Sequence, residues 1–138
     1  MIPWKDSGWS VTGLDPNIES VNYAKEKYSL KIIQSFGEDL SNQKNKYNIV
    51  LSLGSLEHSF DLNKTMQKIK YNTSDDAHLI IRWRSNKLIG SPLEYYNHNH
   101  FRYFNRFSWK ILLNKFGFSK ISFYKESIEQ NDGYEYIL

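Results

Sequence analysis

The segment Tyr47-Asn-Ile-Val-Leu-Ser-Leu-Gly-Ser-Leu-Glu-His58 sets the architecture predicted for this chain. Its apolar run, residues 49–53, is short, contains β-branched residues and ends at a turn formed by Gly54 and its neighbour. Such a run is typical of a strand buried on both faces in the middle of a parallel sheet. Ligands bind beyond the carboxyl ends of strands in open sheets of this kind. We therefore expect Gly54, Ser55, Glu57 and His58 at the functional site.

The sequence on either side of this segment alternates between strand and helix patterns. Strands are predicted over residues 9–14, 30–36, 77–83, 118–124 and 133–138. Helices are predicted over residues 16–28, from Asp61 onward, and from Asn105 or Ser108 to about residue 116. Residues 1–8 are expected to be a loop, and residues 72–76 a turn. Short connections between alternating elements are typical of a parallel α/β sheet. The short polar linker at 125–132 predicts that the last two strands form an antiparallel pair.

Composition narrows the class of protein. The 138 residues are 40% hydrophobic and 16% aromatic, which is typical of one globular domain, here residues 1–138. The net charge of +3 is spread over many elements, which argues against nucleic acid as a partner. The chain has no Cys, so disulfides, thiolate zinc sites and cysteine nucleophiles are excluded, and a cytoplasmic location is predicted. No apolar run approaches the ~18 residues of a membrane span, so no membrane association is expected.

Four short motifs follow one another in a recognisable order. Val11-Thr-Gly-Leu-Asp-Pro16 ends a predicted strand in an acidic residue, and Gly37-Glu-Asp-Leu40 follows the next strand. Leu56-Glu-His58 comes after the central strand, and His100-Phe-Arg-Tyr-Phe104 precedes a helix that ends at Gly117-Phe118. Over residues 9–124 this series resembles the class I S-adenosylmethionine-dependent methyltransferases, and most closely their small-molecule and saccharide-type branch. The resemblance implies a Rossmann-like, mostly parallel sheet with flanking helices, S-adenosyl-L-methionine as cofactor, and a small-molecule acceptor.

Three carboxylates and one backbone position are candidates for binding the adenosine part of such a cofactor. A ribose diol needs a bidentate acceptor, and Asp15 lies at the end of a predicted strand where a carboxylate can supply one. Asp15 is also a good helix cap, and the two roles are compatible. Glu38 or Asp39 can accept a hydrogen bond from an adenine amino group, with the backbone near Leu40 facing a ring nitrogen. The alternative for Glu38 and Asp39 is a solvated loop.

The catalytic candidates are His58 and Glu57. Methyl transfer is an in-line displacement that depends chiefly on positioning and partial desolvation. A general base helps only where the acceptor must lose a proton, and His58 has a suitable unperturbed pKa. The alternative is that His58 packs under the following helix. The resemblance implies that the pair lies near the site, often without acting as the base.

The acceptor side is predicted from basic and aromatic residues. The resemblance implies that the segment around His100 shapes the acceptor pocket, where Arg102 can pair with a carboxylate or phosphate. Arg82 and Arg84 end a predicted strand, and they either bind an anionic substrate or are ordinary strand-end charges. The spacing of His98 and His100 offers no third ligand, so no metal site is predicted.

The largest departure from the family is the missing glycine-rich turn, which normally precedes the acidic residue by about 20 residues. Only 14 residues precede Asp15, and they contain no G-x-G. We therefore expect this chain to lack the first βα unit and to have impaired activity. The family's strand order, 3-2-1-4-5-7-6, places the first strand beside residues 49–53. That run should then keep one unpaired edge or pair directly with residues 9–14, and a second chain supplying the strand is a predicted partner.

Two smaller departures also weaken the match. Asn48 stands where the family commonly has Asp, and residues 72–76 replace a tight Pro-Gly-Gly type of turn. Two alternative functions follow from these departures. One is a non-catalytic binding module that uses the aromatic surface of residues 98–104. The other is a nicotinamide-dependent or other nucleotide-binding enzyme, which shares the acidic residue after the second strand.

Overall fold

The computed structural model describes residues 1–44, 46–84, 101–125 and 134–137. The strands within these ranges are β1 (Thr12–Asp15), β2 (Lys31–Gln34), β3 (Tyr47–Leu53), β4 (Thr73–Arg84), β5 (Phe123–Lys125) and β6 (Tyr134–Ile137). The helices are α1 (Ile2–Asp6), α2 (Ile18–Tyr28), α3 (Leu62–Asn72) and α4 (Arg106–Lys115). Single 3₁₀ turns, Gly37–Asp39 and Leu56–His58, follow β2 and β3.

The strands form two sheets. β1 and β2 are a parallel pair, and the second sheet has the order β3-β4-β6-β5. β3 and β4 are parallel, whereas β6 is antiparallel to both β4 and β5. These pairings confirm the α/β class with a mostly parallel arrangement and an antiparallel pair at the C-terminal end.

Within the described ranges, β3 has a partner on only one of its two edges. It pairs with β4, and β1 pairs with β2, but no ladder joins β1 to β3. Among the described residues, the central apolar run therefore keeps an unpaired edge, as predicted, and it does not pair with β1. The two sheets are connected instead through α3, which contacts the 3₁₀ turn that follows β2.

The hydrophobic core lies between the larger sheet and helices α3 and α4. Trp83 and Trp109 meet edge to face with their ring centroids 6.0 Å apart, and Phe104 stacks on Trp109 at 4.1 Å. The other buried members are aliphatic and come from both the helices and the strands: Leu56, Leu62, Met66, Leu79, Ile81, Leu113 and Ile137. This packing fixes the loop after β3 relative to the segment that leads into α4.

The prediction that the central strand is buried on both faces is wrong. Val50 packs against the core and Ser52 is buried, but Leu51 and Leu53 are 40% and 57% exposed. Successive strand residues point to opposite faces. In the described part of the chain, α3 and α4 cover only the face that carries Val50 and Ser52, so the other face keeps exposed leucines.

Two other segments differ from their predicted structure. Residues 1–8 include a helix with Pro near its start, where the missing N–H of Pro is tolerated. Residues 72–76 are not a turn, because Asn72 ends α3 and Thr73 begins β4. The β3–β4 register runs from Tyr47↔Thr73 to Ile49↔His78, so β4 advances five residues while β3 advances two. A bulge absorbs this excess.

Helix ends were predicted well where a side chain can satisfy the first backbone N–H groups. Asp61 accepts a hydrogen bond from Lys64 N at 2.9 Å and caps α3, as predicted. Asn105 caps α4 and forms a reciprocal pair with Ser108, and Gly117 follows this helix at φ +83°. The cap of α2 is Asn17, not Asp15. The strand predicted over 118–124 is shorter in the structure and covers Phe123–Lys125.

No α-helix in the described ranges has both the length and the apolar character that crossing a membrane requires.

Candidate functional site

Three loops follow the carboxyl ends of the parallel strands β1, β2 and β3. Asp15 ends β1, and its carbonyl oxygen accepts a hydrogen bond from Ser35 N at 3.2 Å, so the ends of β1 and β2 are adjacent. The turns Gly37–Asp39 and Leu56–His58 follow β2 and β3. This edge of the fold therefore carries most of the residues predicted from the sequence to bind a ligand.

Asp15 is half-buried and does not cap α2. Its Oδ1 accepts a hydrogen bond from Asn17 N at 2.8 Å, while the Asn17 side chain accepts from Glu19 N and Ser20 N. The view of Asp15 as only a helix cap is therefore wrong. Its second oxygen makes no hydrogen bond to the described residues. The ribose-binding role stays a prediction, and the local structure leaves that oxygen available for it.

Glu38 ties the loop after β2 to the loop after β3. Its Oε2 accepts hydrogen bonds from Thr65 Oγ1 at 3.2 Å and from Ser59 Oγ at 3.5 Å. The hydroxyl oxygens of Thr65 and Ser59 also lie within hydrogen-bond distance of each other, at 2.7 Å. This network positions the Glu38 carboxylate from two directions.

The neighbours of Glu38 have different environments. Asp39 is exposed and forms an ion pair with Lys64 at 3.1 Å. Leu40 N donates to Gly37 O at 3.4 Å, which closes the 3₁₀ turn. Of the two carboxylates, Glu38 is thus held by the fold, whereas Asp39 is held only by a surface pair, which contributes little to stability. Adenine binding by either one stays a prediction.

Glu57 is a buried carboxylate at the end of β3. The residue is 7% exposed, and its Oε2 has no hydrogen-bond partner among the described atoms. Gly54 lies beside it at φ +71°, and Glu57 Oε1 is 3.8 Å from the place a Cβ on Gly54 would occupy. Burying a charged oxygen without a partner is costly. Such a group is a signal of function.

His58 is half-buried on the same 3₁₀ turn, and its backbone N donates to Ser55 O at 3.1 Å. The hydroxyl of Ser55 is 2.8 Å from that of Ser52, which steadies the exit from β3. His58 therefore has a defined position beside Glu57, and its role as general base stays a prediction.

Arg102 joins the late segment to the loop after β3. Its Nη1 donates to Ser59 O, and its Nη2 donates to Phe60 O at 2.9 Å. The anion-binding role of Arg102 stays a prediction. The guanidinium already holds two backbone carbonyls, so an acceptor anion would have to share it.

Three phenylalanines lie beside the Arg102 side chain. We call this group, Phe36, Phe60 and Phe101, the aromatic ledge. Phe60 lies between the other two, with ring centroids 6.0 Å from Phe36 and 4.9 Å from Phe101. All three side chains are exposed. The ledge extends from the end of β2 to the segment that precedes α4.

The structure describes only some of the other residues that were predicted to bind the acceptor. Arg82 is half-buried near the end of β4, and its carbonyl oxygen accepts from Gly54 N at 2.9 Å. The backbone of Arg84 pairs with Tyr134, but its side chain lies outside what the structure describes, as do His98 and His100. No group of three or more His, Cys, Asp or Glu residues able to hold a metal ion occurs in the described ranges.

Sequence reasoning missed Phe36, Phe60, Ser59 and Thr65. Phe36 is the last residue of a predicted strand and Phe60 comes shortly after the Leu56-Glu-His58 motif, so a ring near the end of a strand was the available signal. Ser59 and Thr65 act through Glu38, which is more than 20 residues away. No local pattern marks that contact.

Comparison with known proteins agrees with the fold. A model of a family described as "Methyltransferase domain" matches residues 1–122. A search of curated proteins finds no match.

Several solved structures share the fold. A SAM-dependent methyltransferase from Thermotoga maritima, described as a possible histamine N-methyltransferase, is similar with a TM-score of 0.78 and 13% identity over 99% of this chain and 73% of that one. A SAM-dependent methyltransferase from Methanosarcina mazei gives a TM-score of 0.77 and 14% identity, over 98% of this chain and 82% of that one. A SAM-dependent methyltransferase from Archaeoglobus fulgidus gives a TM-score of 0.76 and 18% identity, over 92% of this chain and 60% of that one. At these identities the likeness concerns the fold alone.

Proposed function

This chain belongs to the methyltransferase-domain family, whose cofactor is S-adenosyl-L-methionine, and on that premise we propose that it takes part in methyl transfer to a small-molecule or saccharide-type acceptor. The observation that carries the proposal is the environment of Asp15. Its carboxylate lies at the carboxyl end of β1 with one oxygen committed to Asn17 N and the other available. A ligand diol at this position matches the general rule for open α/β sheets.

The described residues fit the adenosine half of the cofactor. Asp15 would accept from the ribose hydroxyls, and Glu38 would accept from the adenine amino group. Phe36 follows β2 and lies just before Glu38 in the chain, where it offers an apolar wall. For the methionine half, residues 1–138 hold no glycine-rich turn before Asp15. We therefore propose that cofactor affinity is weak in this chain alone.

The cofactor supplies an activated methyl group on a sulfonium sulfur. The contribution of this chain is to hold the adenosine, to exclude water and to place the acceptor. His58 would remove a proton where the acceptor is a hydroxyl, and Glu57 would orient the acceptor or the loop that carries His58.

The acceptor would approach across the aromatic ledge. Phe36, Phe60 and Phe101 offer an exposed apolar surface, Arg102 brings positive charge beside Phe60, and Arg82 lies near the carboxyl end of β4. This combination supports an acceptor with a flat or apolar portion and a polar or anionic group.

Calorimetric titration with S-adenosylhomocysteine tests the proposal. Asp15→Asn keeps an acceptor for Asn17 N but removes the charge, so we expect affinity to fall about tenfold, which is about 1.4 kcal/mol. The matched control is Glu19→Gln, an exposed carboxylate in the first turn of α2, which should leave affinity unchanged. The titration is repeated with a longer protein that adds a strand and a glycine-rich turn before residue 1. Absence of binding in both forms would reject the proposal.

A second candidate function is a methyltransferase-like binding module without catalysis. The exposure of Phe101 at the end of the aromatic ledge favours it. In this case Phe101→Ser would abolish partner binding, while Phe107→Ser, at a more exposed residue on α4, would not. Binding of S-adenosylhomocysteine through Asp15 would favour the enzyme instead.

A further inference from the structure

We propose that Tyr23 is a modification site, whose phenol oxygen is the preferred tyrosine acceptor of an activated acyl group such as that of an acyl phosphate. Three neighbouring side chains on α2 form the site: Tyr23, Lys27 and Tyr28. It shares no residue with those assigned above to the cofactor or the acceptor, so it does not depend on methyl transfer.

Tyr23 lies on the outward face of α2. Val21, the buried residue of this helix, is two positions earlier, which corresponds to about 200° around a helix of 3.6 residues per turn. Tyr23 therefore faces away from the core, and it is 55% exposed. Residues four apart are neighbours on a helix surface, and helical side chains lean towards the N-terminus. Lys27 is thus placed to reach back to Tyr23.

The ammonium group of Lys27 is directed at the phenol oxygen. Its Nζ donates a hydrogen bond to Tyr23 Oη at 2.6 Å and lies 4.9 Å from the ring centroid. Lys27 forms no ion pair with a carboxylate among the residues that the structure describes, although Glu19 and Glu26 belong to the same helix. Its positive charge therefore acts on the phenol.

Tyr28 supplies the second wall of the site. Its ring meets the Tyr23 ring edge to face with the centroids 5.9 Å apart, and Lys27 Nζ lies 5.4 Å from its centroid. Lys5 Nζ donates to the carbonyl oxygens of Tyr28 and Ser29 at 2.9 and 3.2 Å, which holds the last turn of α2 in place. The ammonium group thus lies against both rings and is bonded to one hydroxyl.

These contacts give the two phenols different acidities. The Lys27 ammonium, and after it the Tyr28 hydroxyl, lowers the pKa of Tyr23 below its usual value. The hydrogen bond with Tyr23 raises the pKa of Tyr28. Tyr23 is therefore the phenol of the pair that ionises first. A lowered pKa beside a cation is a general way to activate a nucleophile.

The reaction joins the acyl group to Tyr23 Oη. The oxygen attacks the acyl carbon, a new carbon–oxygen bond forms, and the bond between that carbon and the leaving group breaks. With an acyl phosphate the leaving group departs as inorganic phosphate, and the phenolic proton passes to water. The product is a tyrosine ester, and nothing is oxidised or reduced. Lys27 stabilises the phenolate that makes the attack.

Two other tyrosines have similar exposure and serve as internal references. Tyr71 is 47% exposed and Tyr124 is 51% exposed. In the part of the chain that the structure describes, no lysine or arginine side chain lies over either ring. Exposure alone would give the three tyrosines similar reactivity, whereas the contact with Lys27 predicts that Tyr23 reacts first.

The test treats the whole chain with acetyl phosphate at neutral pH and follows each tyrosine by peptide mass spectrometry over time. We expect Tyr23 to be acetylated at least about fivefold faster than Tyr71 and Tyr124, because its phenolate is stabilised. Hydroxylamine removes acetyl groups from tyrosine esters and leaves lysine amides intact. Treatment with hydroxylamine therefore distinguishes a modified Tyr23 from a modified Lys27.

Three variants make the result specific. Lys27→Met removes the ammonium group and should lower the rate at Tyr23 to within about twofold of the rate at Tyr71. Lys27→Arg keeps a cation and should retain most of the wild-type rate. Lys25→Met removes another exposed cation of α2 and should leave the rate at Tyr23 unchanged. All three substitutions are at exposed positions, so the fold should be preserved.

Three outcomes would overturn the proposal. They are equal acetylation rates at Tyr23, Tyr71 and Tyr124, a rate at Tyr23 that Lys27→Met does not change, and acetylation confined to Lys27 in a form that hydroxylamine does not remove.

Discussion

Arg102 Nη2 donates a hydrogen bond to the backbone carbonyl oxygen of Phe60 at 2.9 Å, although Phe60 lies 42 residues earlier in the chain. The same guanidinium donates to Ser59 O. These bonds join the segment before α4 to the loop after β3, and they hold Phe60 against Phe101. A planar guanidinium suits this task because its fixed fork of donors can serve two carbonyls at once.

Arg102→Lys should lower the free energy of unfolding by about 1–3 kcal/mol, because an ammonium group cannot reach both carbonyls in the same geometry. Urea denaturation at neutral pH measures the change. Lys120→Met, an exposed cation beyond α4, is the control and should stay within about 0.5 kcal/mol of the wild type. An unchanged urea midpoint for Arg102→Lys would show that the two hydrogen bonds of Arg102 contribute nothing to stability.

Glu57→Met should raise the free energy of unfolding by about 1–3 kcal/mol, since it removes a buried carboxylate oxygen that has no partner. Urea denaturation measures the change. Glu26→Met, on the exposed surface of α2, should leave the free energy of unfolding unchanged. A loss of stability in Glu57→Met would mean that the carboxylate has a stabilising partner in the folded protein.

Asn17→Ala should destabilise the protein by about 1 kcal/mol, because α2 loses the side chain that accepts from Glu19 N and Ser20 N. Asp15→Asn should cost less than about 0.5 kcal/mol, since an acceptor for Asn17 N remains. Thermal melting compares the two. The reverse order would assign the cap to Asp15 and weaken the case for a ligand-binding role of that carboxylate.

The elements predicted correctly are those with local signals. The strand within residues 47–53 is marked by its apolar run, α3 by its cap Asp61, and α4 by the pair Asn105 and Gly117. Each signal acts within a few residues along the chain. The fold class followed from the alternation of these elements, so it was predictable without any long-range information.

The errors arose where distant contacts decide the structure. The exposure of Leu51 and Leu53 depends on which face the helices cover, and hydrophobicity alone does not report that. Residues 72–76 look like a turn by composition, but the buried Asn72 side chain accepts from Gln43 N at 2.6 Å and fixes them in a strand with a bulge. A hydrogen bond from a backbone N–H to a side chain 29 residues away overrides local preference there.

The candidate site was predictable in its positions but not in its contacts. Asp15, Glu38 and Glu57 follow predicted strands, and the carboxyl ends of parallel strands meet at one edge. The partners of Glu38 and Arg102 come from other loops, and the exposed aromatic ledge is assembled from three separate segments. Such contacts are products of the tertiary fold.

The contact between Gly37 and Thr65 joins the loop after β2 to α3, and it permits a double-mutant test. A Cβ added at Gly37 would lie 2.8 Å from Thr65 Cγ2 and 3.3 Å from its Oγ1. Thr65 is buried and its hydroxyl donates to Glu38, so it cannot move aside freely. Gly37→Ala should therefore reduce the free energy of unfolding by about 1–3 kcal/mol through overpacking.

Thr65→Ser removes the methyl group that a Cβ at Gly37 would strike and keeps the hydroxyl that holds Glu38. In the Thr65→Ser background the cost of Gly37→Ala should fall by at least about 1 kcal/mol, which a double-mutant cycle in urea resolves. Thr12→Ser, which removes a methyl group on β1, serves as the control background and should leave the cost unchanged. If the cost of Gly37→Ala were equal in both backgrounds, overpacking against Thr65 would not be its cause, and backbone conformation at residue 37 would account for it.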